Sequence, residues 1–448
     1  MKRLIAAVLV LFAVTARAEA IEIKEVVSPG GIKAWLVEQH SIPLIAMSYE
    51  FDGGVSADPD GKGGLAYLVS GLLNEGAGDL DSLAFQKALD DRAIRMSFDA
   101  DRDQFSGGLV TLSEEKDEAF RLLGLALSRP RFDADAVERV RAQVRSIQRS
   151  EDDQPRSIAA KAWMRAAFPG HPYARNTTGT PESLAALTAE DLRGYARDNF
   201  ARDRLRVGVV GDITPEALGP LLDATFGALP AQGAGRTVPE VTMTRPDPAV
   251  TVIERKVPQS VAVFGMPGIK RDDPDWFAAT VLNQIFGSGG FSSRLMEEVR
   301  RKRGLTYGVY TYLQPLAHTG LLMGTVATVN ERMGESRQVI EAEIARMAEG
   351  GATDAEIADA KTFLTGSYPL TFDTSGAIAG QLVGIQRYGF DRDYVNKRNA
   401  YIEAVTREDV ARVAKRLLDP RGLFWVIVGQ PAGLDARPET AQPETAQP

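Results

Sequence analysis

The chain repeats itself, and the repeat limits its possible folds more than any other feature. "LTAEDLRGYARDNFARDRLRVGVVG", Leu187 to Gly211, aligns with "VTREDVARVAKRLLDPRGLFWVIVG", Val405 to Gly429, at a constant offset of 218. The alignment pairs Thr188 with Thr406, Glu190 with Glu408, Asp191 with Asp409, Val210 with Val428 and Gly211 with Gly429. Each copy reads as a helix opened by a capping Thr with acids in its first turn, then a buried strand ending in glycine. Upstream, "DPDGKGGLAYLVSGLL" from Asp58 parallels "DPDWFAATVLNQIFGSGG" from Asp273. A chain of 448 residues exceeds one ordinary core. Two homologous domains are therefore expected, residues 21–228 and 247–432, joined by a Pro/Gly-containing linker at 229–246.

Periodicity sets the class. Ile45, Met47, Tyr49 and Phe51 alternate as in a half-buried antiparallel strand, whereas 132–149 and 331–348 carry long amphipathic helical patterns. Strands and helices in separate blocks predict an α+β fold in each domain, an antiparallel-rich sheet packed against helices. The Pro-rich repeat "RPETAQPETAQP" ends the chain, and residues 433–448 are expected to be a disordered tail.

The N-terminus reads as a secretory signal peptide. Lys2 and Arg3 precede an apolar run from Leu4 to Val14, and Ala16-Arg17-Ala18 supplies a cleavage site, so residues 1–18 are excluded from the fold. Cleavage there leaves 49 basic against 60 acidic residues, a net charge of −11, which gives no electrostatic footprint for nucleic acid. No later run spans a bilayer, so no membrane anchor is expected. With no cysteine, disulfide and thiolate chemistry are out, and a periplasmic protein is the expectation.

Local motifs exclude more than they assign. His40, His171 and His318 are the only histidines, and none lies three or four residues from another, so each is expected to be structural. The run "FGSGG", Phe286 to Gly290, lacks the Lys-Ser/Thr of a phosphate-binding loop and follows a helix instead of a strand.

Taken together, the duplicated α+β halves, "GGVSADPDGKGGLA", "FPGHPY" and "GSGGFSSRLMEEVRRKRGLTYGVYTY" resemble the pitrilysin/insulinase family of zinc peptidases. The likeness is to its two-domain branch, which includes the mitochondrial processing peptidase, and runs from about residue 21 to 430. Active members carry H-x-x-E-H on their first long helix, two imidazoles for zinc flanking a glutamate base, with a Glu from a later helix as further ligand. The resemblance places those positions at Tyr67, Ser70 and Gly71, and the later ligand at Arg145 and Ser146. None of these side chains holds zinc, so no cofactor is expected in this chain.

The family's second domain supplies an Arg and a Tyr seven residues apart, which the resemblance maps onto Arg300 and Tyr307. It implies that the Tyr hydroxyl supports a developing oxyanion and the Arg holds a substrate carbonyl. It likewise implies that Gly287, Gly289 and Gly290 form a bare loop beside a bound peptide. The expectation is a non-catalytic, substrate-binding subunit of a heterodimeric zinc metallopeptidase. A homologous partner would carry the zinc, and Arg300 and Tyr307 would act in trans. The alternative is a stand-alone peptide-binding scaffold.

Overall fold

A computed structural model describes residues 21–434 and 438–439; the signal-peptide reading of residues 1–18 falls outside them. The first sheet contains β1 (Lys24–Val27), β2 (Lys33–Glu38), β3 (Leu44–Asp52), β4 (Arg95–Ala100), β5 (Gln104–Leu112) and β6 (Leu205–Gly211). The second contains β7 (Val250–Glu254), β8 (Gln259–Pro267), β9 (Val309–Leu316), β10 (Thr319–Val329), β11 (Phe424–Gly429) and β12 (Pro438–Glu439). Their orders, β1-β2-β6-β3-β5-β4 and β12-β7-β11-β8-β10-β9, correspond position for position, except that the outer strand is antiparallel in the first sheet and parallel in the second. In both, the first long strand runs antiparallel to its neighbours, and the last strand of the repeat pairs parallel with β2 or β7.

The repeated segment folds alike in both halves. Thr188 and Thr406 each cap a helix, with Asp191 and Asp409 closing reciprocal capping boxes. Gly211 and Gly429 both sit at φ +148°, where a Cβ would run into the neighbouring strand.

One expectation needs correcting at β3. The alternation predicted a half-buried strand, yet Ala46 and Glu50 on its other face are buried as well. The cause is an exchange between halves. The helix Ser375–Arg387, from the second half, lies on β6 and β3 of the first sheet. The helix Pro155–Ala167, from the first half, lies on β11 and β8 of the second. Gly208 and Gly265 stand where these helices come closest: a Cβ on Gly208 would be 2.8 Å from Leu382 Cβ, and one on Gly265 2.6 Å from Trp163. Trp163 stacks on Phe424 with ring centroids 4.6 Å apart, sealing the exchanged helix to β11.

The linker lies along the surface without regular structure, its Val241 and Thr244 amides bonded to His318 and Ala167 carbonyls. Leu434 packs against the second core, and Pro438–Glu439 pair in parallel with β7. β7 would otherwise end the sheet with unpaired backbone groups, and the tail fills the place that β1 takes beside β2. Among the described residues no helix is long and apolar enough to cross a membrane.

Candidate functional site

The helix Leu65–Leu72 begins where a buried carboxylate gathers its free amides. Asp58 accepts from the N–H of Gly64 (2.9 Å), Leu65 (3.0 Å) and Ala66 (3.0 Å). Burial pushes its carboxyl up to about 7, against the opposing pull of those amides and of Arg175.

Along this helix the positions that would serve a metal do other work. The Ser70 hydroxyl donates to the Tyr67 carbonyl at 2.8 Å, a bond spent within the helix itself. Tyr67 is half-buried, and burial, followed by the nearby negative charges of Glu151 and Asp99, raises its phenol above the usual range. A Cβ on Gly71 would sit 2.8 Å from Val140 Cγ1, so a side chain there needs the helix Ala134–Asp153 to give way.

That long helix corrects the assignment of the distant position. Arg145 and Ser146 face solvent. The residues of the helix that turn inward include Val137, Val140, Val144 and Gln148, at helical spacing. Gln148 donates to the Thr178 carbonyl at 2.8 Å, the same residue against which Gly64 packs and whose hydroxyl donates to Glu151. Its other amide atom, Oε1, has no partner among the described residues. The polar residue beside the first helix is therefore Gln148. Its place on the stripe of Val137, Val140 and Val144 was the available signal.

Phenol, hydroxyl and carboxamide do not make a zinc site, which takes imidazole, thiolate or carboxylate. Among the described residues no group of three or more His, Cys, Asp or Glu side chains is arranged to hold a metal ion. His40 meets Asp212 and Glu38, His171 bonds the Pro239 carbonyl and the Tyr173 amide, and His318 meets Glu240.

The second-domain element is assembled differently. Arg300 Nη1 donates to the Tyr307 carbonyl at 2.6 Å, closing the seven-residue span. The guanidinium stacks over Phe291, 4.7 Å from the ring centroid, and lies 6.0 Å from that of Tyr307. The neighbouring cations are consumed in ion pairs, Arg301 with Glu297, and Lys302 and Arg303 with Glu298. Arg300 has no carboxylate partner among the described residues. Tyr307 is 83% exposed, and its hydroxyl makes no hydrogen bond among the described residues.

The glycine loop divides in two. Gly287 is buried, and a Cβ there would lie 2.8 Å from the Thr311 amide, so its bareness seats the loop on β9. Gly289 backs onto the Gln284 side chain and carbonyl. These contacts account for both residues without a substrate. Gly290 alone is open, at φ +58° with nothing near its Cβ direction. Phe291, 65% exposed, completes the surface with Arg300 and Tyr307, and sequence reasoning missed it because a lone aromatic after glycines carries no periodic signal. Tyr67, Ser70, Gly71 and Gln148 lie in the other half, and no hydrogen bond or ion pair joins the two sets.

Comparison with known proteins agrees with this geometry. The family described as peptidase M16 inactive domain matches residues 186–364. A non-peptidase homolog, YmxG, of Helicobacter pylori is 29% identical over 342 residues, covering 75% of this chain and 78% of that protein. A probable mitochondrial-processing peptidase subunit beta of Schizosaccharomyces pombe is 25% identical over 86% of each chain. The crystal structure of a peptidase M16 inactive domain from Pseudomonas fluorescens is 27% identical, with a TM-score of 0.85, over 93% of this chain and 99% of that one.

Proposed function

We propose that this chain, a non-catalytic member of the pitrilysin (M16) family, is the substrate-binding subunit of a heterodimeric periplasmic zinc peptidase. The observation that carries the proposal is the contrast between its halves. The first has no donor set for zinc, whereas the second holds Arg300 against the Tyr307 carbonyl and presents a free phenol to solvent.

In this reading the zinc resides in a homologous partner, where it supplies the activated water. This chain supplies binding and orientation. The Arg300 guanidinium, always protonated and fixed by Phe291 and the Tyr307 carbonyl, has N–H groups left for a substrate backbone carbonyl. The Tyr307 hydroxyl donates to the scissile carbonyl oxygen as negative charge gathers on it. Pairing with a homologous chain is supported by the likeness to a processing-peptidase subunit.

The test is co-expression with a relative from the same organism that carries H-x-x-E-H. Expected are a stable one-to-one complex and peptide cleavage that neither chain performs alone. No complex with any such relative, or full cleavage by this chain alone, would sink the proposal. A second reading, a peptide-binding scaffold without a peptidase partner, is favoured by how completely the zinc donors are replaced.

A further inference from the structure

The exchanged helix Pro155–Ala167 covers β11 and β8, and beyond it, toward the β10–β9 edge, lies a cavity of about 330 Å³ between the two halves. Its floor is the outer face of the second sheet. Val263, Thr325 and Tyr310 form one row across β8, β10 and β9, with Met323 and Tyr312 in a parallel row. Its roof is the exchanged helix, through Arg156, Ala160 and Met164, and the segment Arg175 to Thr177 closes one side. The volume falls at the lower end of the range for ligand pockets, about 300–1,000 Å³, and suits a group of one or two residues.

Two independent observations point to an occupant. Thr325 is only 6% exposed, yet its hydroxyl has no hydrogen-bond partner among the described residues, on a wall of this cavity. A buried hydroxyl left unpaired costs free energy unless something enters to satisfy it. Arg156 lies over the Tyr310 ring, 5.6 Å from its centroid, with no carboxylate partner among the described residues. The other cations lining the cavity are engaged: Lys161 with Glu151 and Asp152, Arg175 with Asp60, and Arg102 with the Tyr173 and Arg175 carbonyls. Glu151 is the one carboxylate on the lining, so the field favours an anion, while Met164, Met323 and Tyr312 offer apolar surface to whatever carries it. β9 is the edge strand of its sheet and pairs with β10 alone.

We propose that this cavity binds the C-terminal residue of a peptide, its carboxylate on Arg156 and Thr325 and its apolar side chain against Met164, Met323 and Tyr312. The proposal rests on the peptide-binding reading above, but it uses residues of this chain alone. It locates a contact separate from Arg300 and Tyr307, one that anchors the end of a substrate instead of its scissile bond.

The test is fluorescence anisotropy on the full mature chain without any partner, so failure of the heterodimer reading leaves the result intact. The probe is a fluorescein-labelled Gly/Ser octapeptide ending in Ala-Phe, as the free acid, as the C-terminal amide, and as an amide with an internal Glu. The free acid is expected to bind about tenfold or more tightly than either amide. Arg156→Ala, at an exposed position that does not threaten folding, removes that preference, and Thr325→Val weakens the free acid several-fold. Ala160→Trp, which fills the space, abolishes binding while the thermal melt stays cooperative. Equal affinity for acid and amide, or a free-acid affinity indifferent to Arg156→Ala, overturns the proposal. Tight binding of the internal-Glu amide overturns the assignment to a chain terminus.

Discussion

Replacing Arg387 with alanine tests how the two halves are held together. Arg387 ends the exchanged helix Ser375–Arg387 and reaches Glu50 in the middle of β3. Its Nε lies 2.9 and 3.0 Å from the two carboxylate oxygens, and Nη2 adds a further bond. Glu50 is fully buried, 0% exposed. Among the described residues the only other cation paired with it is Arg206, at 3.5 Å, whose guanidinium is already engaged with Asp52 at 2.6 and 3.0 Å. Arg387→Ala therefore leaves a carboxylate in the interior with one distant, shared partner. Removing one member of a buried pair costs about 3–5 kcal/mol. Urea unfolding followed by tryptophan fluorescence, with Trp163 and Trp425, which both pack on the second sheet, as reporters, should show a loss toward that size, weakened only in part by salt because Glu50 is buried while the Arg387 side chain is 30% exposed. The double variant Glu50→Met with Arg387→Met should recover most of the loss, since apolar residues of similar volume replace a buried pair at little cost. A single-variant loss below about 1 kcal/mol, the level of a surface pair, or a double variant no better than the single one, would refute the reasoning.

Asp58→Asn should destabilise by about 1–3 kcal/mol, because one amide oxygen replaces two carboxylate oxygens facing three N–H groups. The pH dependence has a definite sign. With the folded carboxyl at about 7 and the ordinary value at 3.8, the native state retains a proton that the unfolded chain has released. The wild type should therefore lose stability relative to Asp58→Asn as pH rises between those values, readable from urea midpoints across that range. Arg294 holds the Glu356 carboxyl at about 2, below its ordinary 4.5, through bonds of 2.6 and 2.8 Å. Arg294→Ala should cost about 1.5–3 kcal/mol near neutral pH, and the difference should shrink as pH falls from 4.5 toward 2. Tyr67→His with Ser70→Glu and Gly71→His should not bring stoichiometric zinc, because Val140 crowds position 71 and no carboxylate faces the helix at 148. Adding Val140→Ala and Gln148→Glu should raise zinc content toward one per chain, as measured by plasma emission spectrometry.

Much of this architecture was legible in the residues, because the repeat records local rules twice. Thr188 and Thr406 announce their helices through capping chemistry, and Gly211 and Gly429 mark the same strained strand end. The exchange of helices was not legible. Nothing local in "IAAKAWMRAAF" distinguishes packing on its own sheet from packing on the other, and the buried Glu50 acquires its partner 337 residues away. The distant position was misplaced by a short motif, when the apolar stripe of Ala134–Asp153 carries Gln148 inward and turns Arg145 and Ser146 outward. Arg300 and Tyr307 were singled out through the family resemblance, whereas Phe291 emerged only once three-dimensional proximity showed what orients the guanidinium. The Arg156 and Thr325 cavity lies between halves, so no window of sequence contains it.

The most direct measurement is the kcat of the reconstituted heterodimer carrying Tyr307→Phe in this chain, with the partner's zinc content and complex formation monitored alongside. The account predicts that assembly and zinc are unchanged while kcat falls about 100-fold or more, the cost of deleting one donor to a developing oxyanion. An unchanged kcat in an intact, zinc-loaded complex would contradict it and leave the chain a scaffold.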